Sequence, residues 1–98
     1  LEQRQRQGQD IGKPYKDEFF SDFFIRTFYL DKPSEDFIWH RDKRDRVISI
    51  ISGKGWKLQM DNQMPIDLIQ RKVYRIPKET FHRLLKGSND LIIKVMEK

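Results

Sequence analysis

Apolar and polar positions along this chain alternate in short runs, and turn residues separate one run from the next. Beyond Asp31, Asp36 to His40 precedes the charged RDKRDR segment, Val47 to Ser52 is β-branched and stops at Gly53-Lys54-Gly55, and Trp56 to Asp61 stops at Asn62. Ile66 to Leu68, Val73 to Ile76, Phe81 to Leu85 and Leu91 to Met96 continue the series, with polar turns at Gln70-Arg71, Pro77-Lys78-Glu79 and Gly87-Ser88-Asn89-Asp90. Strands at this spacing, with no long helical pattern among them, predict an all-β sandwich or barrel. Pro77 has no N–H for a ladder and suits a corner between strands.

The N-terminal part reads differently. Residues 1–13, rich in Gln and Arg, predict a flexible basic arm, and residues 14–98 a single domain. The run YKDEFFSDFFIRTFYL fits two periods: Phe20, Phe23, Phe24 and Phe28 have helical spacing, whereas Phe24, Arg26, Phe28 and Leu30 alternate. The prediction is a short helical turn followed by a strand from about Phe24.

Within the strands, alternation assigns faces. If His82 points inward, Leu84 shares its side, and Phe81, Arg83 and Leu85 take the other. Trp56, Leu58 and Met60 share a face by the same parity. Phe81, Leu85, Ile92 and Met96 then form a second apolar face. Strands apolar on both faces have both covered, which predicts that the aromatic N-terminal segment or a second copy packs there, the latter as a homodimer.

Composition narrows the function classes. The chain has 98 residues, enough for one domain that buries roughly 60–70% of its unfolded surface. It contains no cysteine, which excludes disulfides and thiolate metal sites. No apolar stretch approaches the ~20 residues of a membrane-spanning helix, so a soluble, cytoplasmic protein is expected. The net charge of +5 raises nucleic acid as a partner. The basic residues are scattered, however, and no zinc-finger or RNA-recognition spacing is present, so nucleic-acid binding ranks last.

The chemistry concentrates on the two histidines, each beside a turn. His40 is followed two residues later by Asp42, and positions i and i+2 of a strand project to one face. If His82 enters from an opposing strand, His40, Asp42 and His82 form a two-histidine, one-carboxylate set with open positions. Such a set favours Fe(II) and accepts Mn, Ni or Zn.

Two segments carry a resemblance. The cupin superfamily's first motif runs Gly, five residues, His-x-His, three or four residues, Glu, six residues, Gly. The stretch from Ser34 to Gly53 resembles it: Ser34 stands at the first Gly, His40 at the first His, Asp42 at the second His, Arg46 at the Glu and Gly53 at the closing Gly. The second motif runs Gly, five residues, Pro-x-Gly, two residues, His, three residues, Asn. RKVYRIPKETFHRLLK is similar to it, with Pro77 and His82 matching and with Arg71, Glu79 and Lys86 where the family has Gly, Gly and Asn. The HRDKRDRVISIISGKGW segment followed by DNQMPI also resembles short cupin-like proteins of tailed phages.

The resemblance implies a double-stranded β-helix, the cupin jelly-roll barrel, with one divalent metal ion and a small-molecule ligand. It also makes Arg46 the notable departure, because a guanidinium cannot coordinate a metal. Either Asp42 is the sole carboxylate and Arg46 receives an anionic or polar ligand, or the site is degenerate and the barrel is a non-catalytic binding or assembly module. Asp45 lies one residue out of phase to replace the Glu and is expected to pair with a neighbouring Arg. Trp56 and Tyr74 are candidates for ligand contact as well as for barrel core.

His-x-Asp with a distant His is also the arrangement of oxoglutarate-dependent iron oxygenases, which makes a metal-dependent dioxygenase the first enzymatic reading and an isomerase the second. Many such oxygenases place an Arg about ten residues after the second His, where this sequence has Ile92. Lys94 or Lys57 would have to substitute.

Overall fold

A computed structural model describes residues 15–98 of the chain; the expected 1–13 arm lies outside the described residues. Among the described residues, eight strands form two antiparallel sheets. They are β1 (Tyr15–Phe19), β2 (Phe24–Phe28), β3 (Arg46–Ser52), β4 (Lys57–Met60), β5 (Ile66–Asp67), β6 (Val73–Ile76), β7 (His82–Leu85) and β8 (Leu91–Glu97). The larger sheet runs β1-β2-β8-β3-β6 and the smaller β5-β4-β7. This is the all-β jelly-roll arrangement, and the strands from β2 onward fall where the alternation and turn residues put them.

The two sheets close on a shared apolar core. Phe28, Ile48, Ile50, Leu91, Ile93 and Val95 of the larger sheet meet Trp56, Leu58 and Leu84 of the smaller one. His82 and Leu84 are buried together on β7, and Trp56 and Leu58 are buried with Met60 packed against them, as their parity requires. Trp56 is 1% exposed, and its indole Nε1 donates to the Asn89 carbonyl at 2.7 Å, so its one polar atom is satisfied.

The N-terminal segment corrects the helical expectation. Residues 15–19 form a strand, not a helical turn, because Asp17 lies directly opposite Arg26 and holds its guanidinium in two hydrogen bonds of 2.7 and 2.8 Å. Phe24 and Phe28 point into the core from one face of β2. Phe20 and Phe23 stack in the turn that joins β1 to β2. The helical spacing of these aromatics therefore reflects a hairpin whose turn and inner face both carry Phe.

The second correction concerns Asp36 to His40, which is not a strand. Ser34 accepts a hydrogen bond from the Asp36 N–H at 3.1 Å and caps a single 3₁₀ turn over Glu35–Phe37, after which His40 alone makes a β-bridge. A small polar side chain at this position favours the cap over an extended strand.

Turn backbones preserve the motif frame where its side chains have changed. Arg71 and Glu79, at the two positions where the cupin motif has glycine, adopt φ of 72° and 59°. The left-handed geometry is retained although both residues carry a Cβ.

Candidate metal centre

The two histidines meet through their backbones. The His40 N–H donates to the His82 carbonyl at 3.0 Å and the His82 N–H to the His40 carbonyl at 2.9 Å. Their ring centroids are 4.3 Å apart. Asp42 follows in irregular chain, fixed by its carbonyl, which accepts from the Glu79 N–H at 2.7 Å. The convergence of His40 and Asp42 therefore comes from this bridge and turn and not from the continuous strand their spacing predicted.

Each imidazole is oriented by a carbonyl two residues before it. His40 Nδ1 donates to the Ile38 carbonyl at 2.9 Å, and His82 Nδ1 donates to the Thr80 carbonyl at 2.7 Å. A carbonyl can only accept, so Nδ1 carries the proton, and in the neutral ring Nε2 is the atom with a free lone pair. The ligand atoms of His40, Asp42 and His82 all lie within 4.8 Å of one another.

The polar atoms that converge are poorly satisfied by each other. His82 Nε2 is 3.3 Å from Asp42 Oδ2, and His40 Nε2 is 3.1 Å from Asp36 Oδ1. Even so, His40 Nε2 and Asp42 Oδ2 are buried without an aligned hydrogen bond. An unsatisfied buried polar atom costs about 1–3 kcal/mol. A divalent cation would satisfy both at once, so these residues fit a metal ion by donor type, protonation and convergence.

Charges around the cluster shift its titration. The Asp36 carboxylate raises the His40 pKa, against the opposing effect of burial. Burial pushes Asp42 up, but His82 and Arg46 outweigh it and hold the carboxyl below its ordinary value. Asp36 is likewise held low, with burial outweighed by His40 and Arg26.

Arg46 is turned toward carboxylates. It stands opposite Glu97 across β3 and β8, its Nε and Nη2 are 3.0 and 2.9 Å from Glu97 Oε2, and its Nη1 is 3.6 Å from Asp42 Oδ2. Pairing with Glu97 offsets part of the positive charge that would otherwise repel a cation. Among the described residues Asp45 pairs with no Arg: its Oδ1 accepts from the Lys78 N–H at 2.7 Å, tying two loops together.

Two spaces that share Arg26, Asp36, His40 and Arg46 as lining adjoin the cluster. An inner cavity of about 30 Å³, room for one water, has Phe28, Ile48, Leu58 and Leu84 as apolar wall and His40 and His82 among its polar groups. An outer basin of about 280 Å³ is lined by Tyr15, Arg26, Asp36, His40, Asp42 and Arg46, among others. Neither space is lined by Trp56 or Tyr74. Trp56 is core, and the Tyr74 hydroxyl donates to the Asp67 carbonyl and accepts from the Ile69 N–H, closing the turn between β5 and β6.

Lys57 and Lys94 do not reach the cluster either. Lys57 pairs with Asp67, and Lys94 lies over the Phe23 ring at 4.4 Å. Sequence reasoning did not single out Asp36, Arg26 or Glu97. Asp36 was legible in principle as position i to His40 at i+4, the others only through strand pairing.

A jelly roll with a His-Asp-His cluster between its sheets defines a class, and comparison with solved structures identifies it: this chain has the cupin fold. It is similar to a cupin-2 domain protein of Shewanella frigidimarina (16% identity, TM-score 0.63), covering 97% of this chain and 92% of that one. It is also similar to a cupin-domain protein of Bordetella pertussis (14%, TM-score 0.58, 88% and 96% covered). A DMSP lyase of Ruegeria pomeroyi matches at 14% identity and TM-score 0.61, over 81% of this chain but 39% of the lyase. No protein-family model and no curated protein sequence matches the chain. Among the described residues, no helix is long and apolar enough to cross a membrane.

Proposed function

We propose that this protein is a metal-binding cupin in which His40, Asp42 and His82 hold one divalent ion, with Fe(II) favoured and Mn, Ni or Zn accepted, open to a small anionic or polar ligand in the outer basin. The observation that carries the reading is the pair of carbonyl-held imidazoles facing an unsatisfied Asp42 oxygen. When bound, the ion would supply Lewis-acid chemistry and, as iron, oxygen chemistry of the dioxygenase kind. The protein's own part is to fix the donors, exclude water with the apolar inner wall, and present Arg46 Nη1 to a ligand oxygen.

Elemental analysis of the purified protein tests this. About one equivalent of metal is expected, with His82→Ala and Asp42→Ala reducing it to background. A folded wild-type protein that takes up no metal under any loading condition would overturn it.

A second reading has its own support. Arg46 and His82 both approach Asp42 closely, so a degenerate site could be held by ion pairs alone in a non-catalytic binding module. A homodimer belongs to either reading, supported by the exposed apolar side chains Phe19, Phe20 and Phe81. Light scattering that finds only a 12.0 kDa species at micromolar concentration would sink the dimer.

A further inference from the structure

We propose that the inner cavity is a holding site for dioxygen beside the metal donors, so that a small apolar gas and the organic ligand occupy separate spaces. The inference deepens the oxygen chemistry of the reading above and depends on it for the cavity's use, though not for its test.

Size and lining select the occupant. Protein interiors are packed with few voids as large as a water molecule, and this one, of about 30 Å³, abuts both imidazoles. It exceeds the roughly 10–15 Å³ that one water requires, which admits a diatomic molecule. A ligand of several heavy atoms needs the outer basin of about 280 Å³. Seven of the twelve residues lining the cavity are apolar, among them Ile48, Leu58 and Leu84, each no more than 6% exposed.

Water is the competing occupant, and it needs about two to four polar partners. The polar lining groups are engaged elsewhere. Arg26 is held by Asp17 and Arg46 by Glu97, Asp36 accepts from the Ser34 hydroxyl, and each imidazole Nδ1 donates to a carbonyl. The remaining ring nitrogens, the two Nε2 atoms, are the metal donors of the reading above. Cavities with apolar walls stay dry and take up apolar guests such as xenon, and dioxygen shares that preference for apolar surroundings.

The donor set borders both spaces. His82 lines the inner cavity but not the basin, Asp42 the basin but not the cavity, and His40 lines both. A gas held against His82 and a ligand held against Asp42 would therefore both adjoin an ion that the three residues share, without competing for volume.

The test is proton relaxation of the methyl-labelled full chain, freed of metal by chelator, under pressurised dioxygen, whose paramagnetism speeds the relaxation of nuclei it contacts. Methyl groups of Ile48, Leu58 and Leu84 should relax severalfold faster than those of Ile50 and Leu91, which are as deeply buried but outside the cavity lining. Val95→Ile, which adds one methylene at the cavity wall, should remove that excess while leaving Ile50 and Leu91 unchanged. Equal enhancement at both sets of methyls in wild-type protein, a readout that needs no variant to fold, would overturn the proposal. So would nuclear Overhauser contacts from a long-lived water to the Ile48, Leu58 and Leu84 methyls. Failure to take up metal in elemental analysis overturns the metal-site reading and leaves these relaxation rates as they are, so the two failures are distinguishable.

Discussion

His40 and His82 exchange both of their backbone hydrogen bonds, so the two imidazoles emerge from one bridged pair although they lie far apart in the chain. Their separation is set by backbone geometry before any ligand arrives. Metal binding should therefore leave the far-ultraviolet dichroism unchanged while raising Tm, since a ligand at a hundred times its Kd stabilises the native state by about 2.7 kcal/mol. The rise should disappear in Asp42→Asn, whose metal-free Tm should itself be lowered by loss of the pairing with His82 and Arg46.

Acid should release the metal well before it unfolds the chain. A metal needs His40 Nε2 unprotonated, and Asp36 raises the His40 pKa above its usual 6.5. Below that raised value, apparent affinity should fall about tenfold per pH unit for this one proton. Chelator competition across pH 5–8 (about the titration range of histidine) would measure it; a flat profile would contradict the assigned protonation.

Metal-free stability should have the opposite dependence at its alkaline side. A raised His40 pKa stabilises the fold below the unfolded value of 6.5, and that contribution is lost as pH rises through the folded value. The lowered pKa values of Asp36 and Asp42 stabilise it above 3.8, and that contribution is lost as pH falls through their folded values. Urea midpoints of the apo protein should accordingly peak between these limits. A midpoint still climbing above neutral pH would count against the His40–Asp36 pairing.

Removing the Arg46 charge should separate stability from binding. Arg46→Met leaves Glu97 without its cross-strand partner, at a cost of about 1 kcal/mol for a partly exposed pair. It also removes a cation from beside Asp42, so metal affinity should rise severalfold. Denaturant melts and metal titrations on the same preparation would show the two effects moving in opposite directions.

Two turn positions predict opposite signs for exchanges involving glycine. Arg71, at φ 72°, bears a left-handed conformation that costs a side-chain-bearing residue about 1–2 kcal/mol, so Arg71→Gly should stabilise by up to about 1 kcal/mol after the entropy of glycine is counted. Gly87 is the converse case: a Cβ there would lie 2.0 Å from the Lys54 carbonyl oxygen and 2.7 Å from the Trp56 nitrogen. Gly87→Ala should destabilise by about 3 kcal/mol through displaced backbone. Thermal melts of the two variants decide both.

The strands from β2 onward were legible because their alternation is strict and their turns carry Gly, Pro, Asn or charged pairs. Parity puts Leu84 on the side of His82 and Leu58 on the side of Trp56; that His82 points inward was the condition and not the result. What the sequence obscured was set by partners distant in the chain. Whether Tyr15–Phe19 coils or extends depends on Arg26 standing opposite Asp17, and Arg46 acquires its meaning only when β8 brings Glu97 across from it. Asp36 was hidden differently: an apolar alternation through Phe37 and Trp39 looked like a strand, while the Ser34 cap had already turned the chain.

The link between Arg46 and Glu97 extends to the end of the last strand, where the Lys98 N–H donates to the Asp45 carbonyl at 2.9 Å. The same loop supplies Asp42. Bending the end of β8 would thus move Glu97 and Asp45 together and free a guanidinium beside Asp42. The charge felt at Asp42 is in this sense set by where the last strand ends.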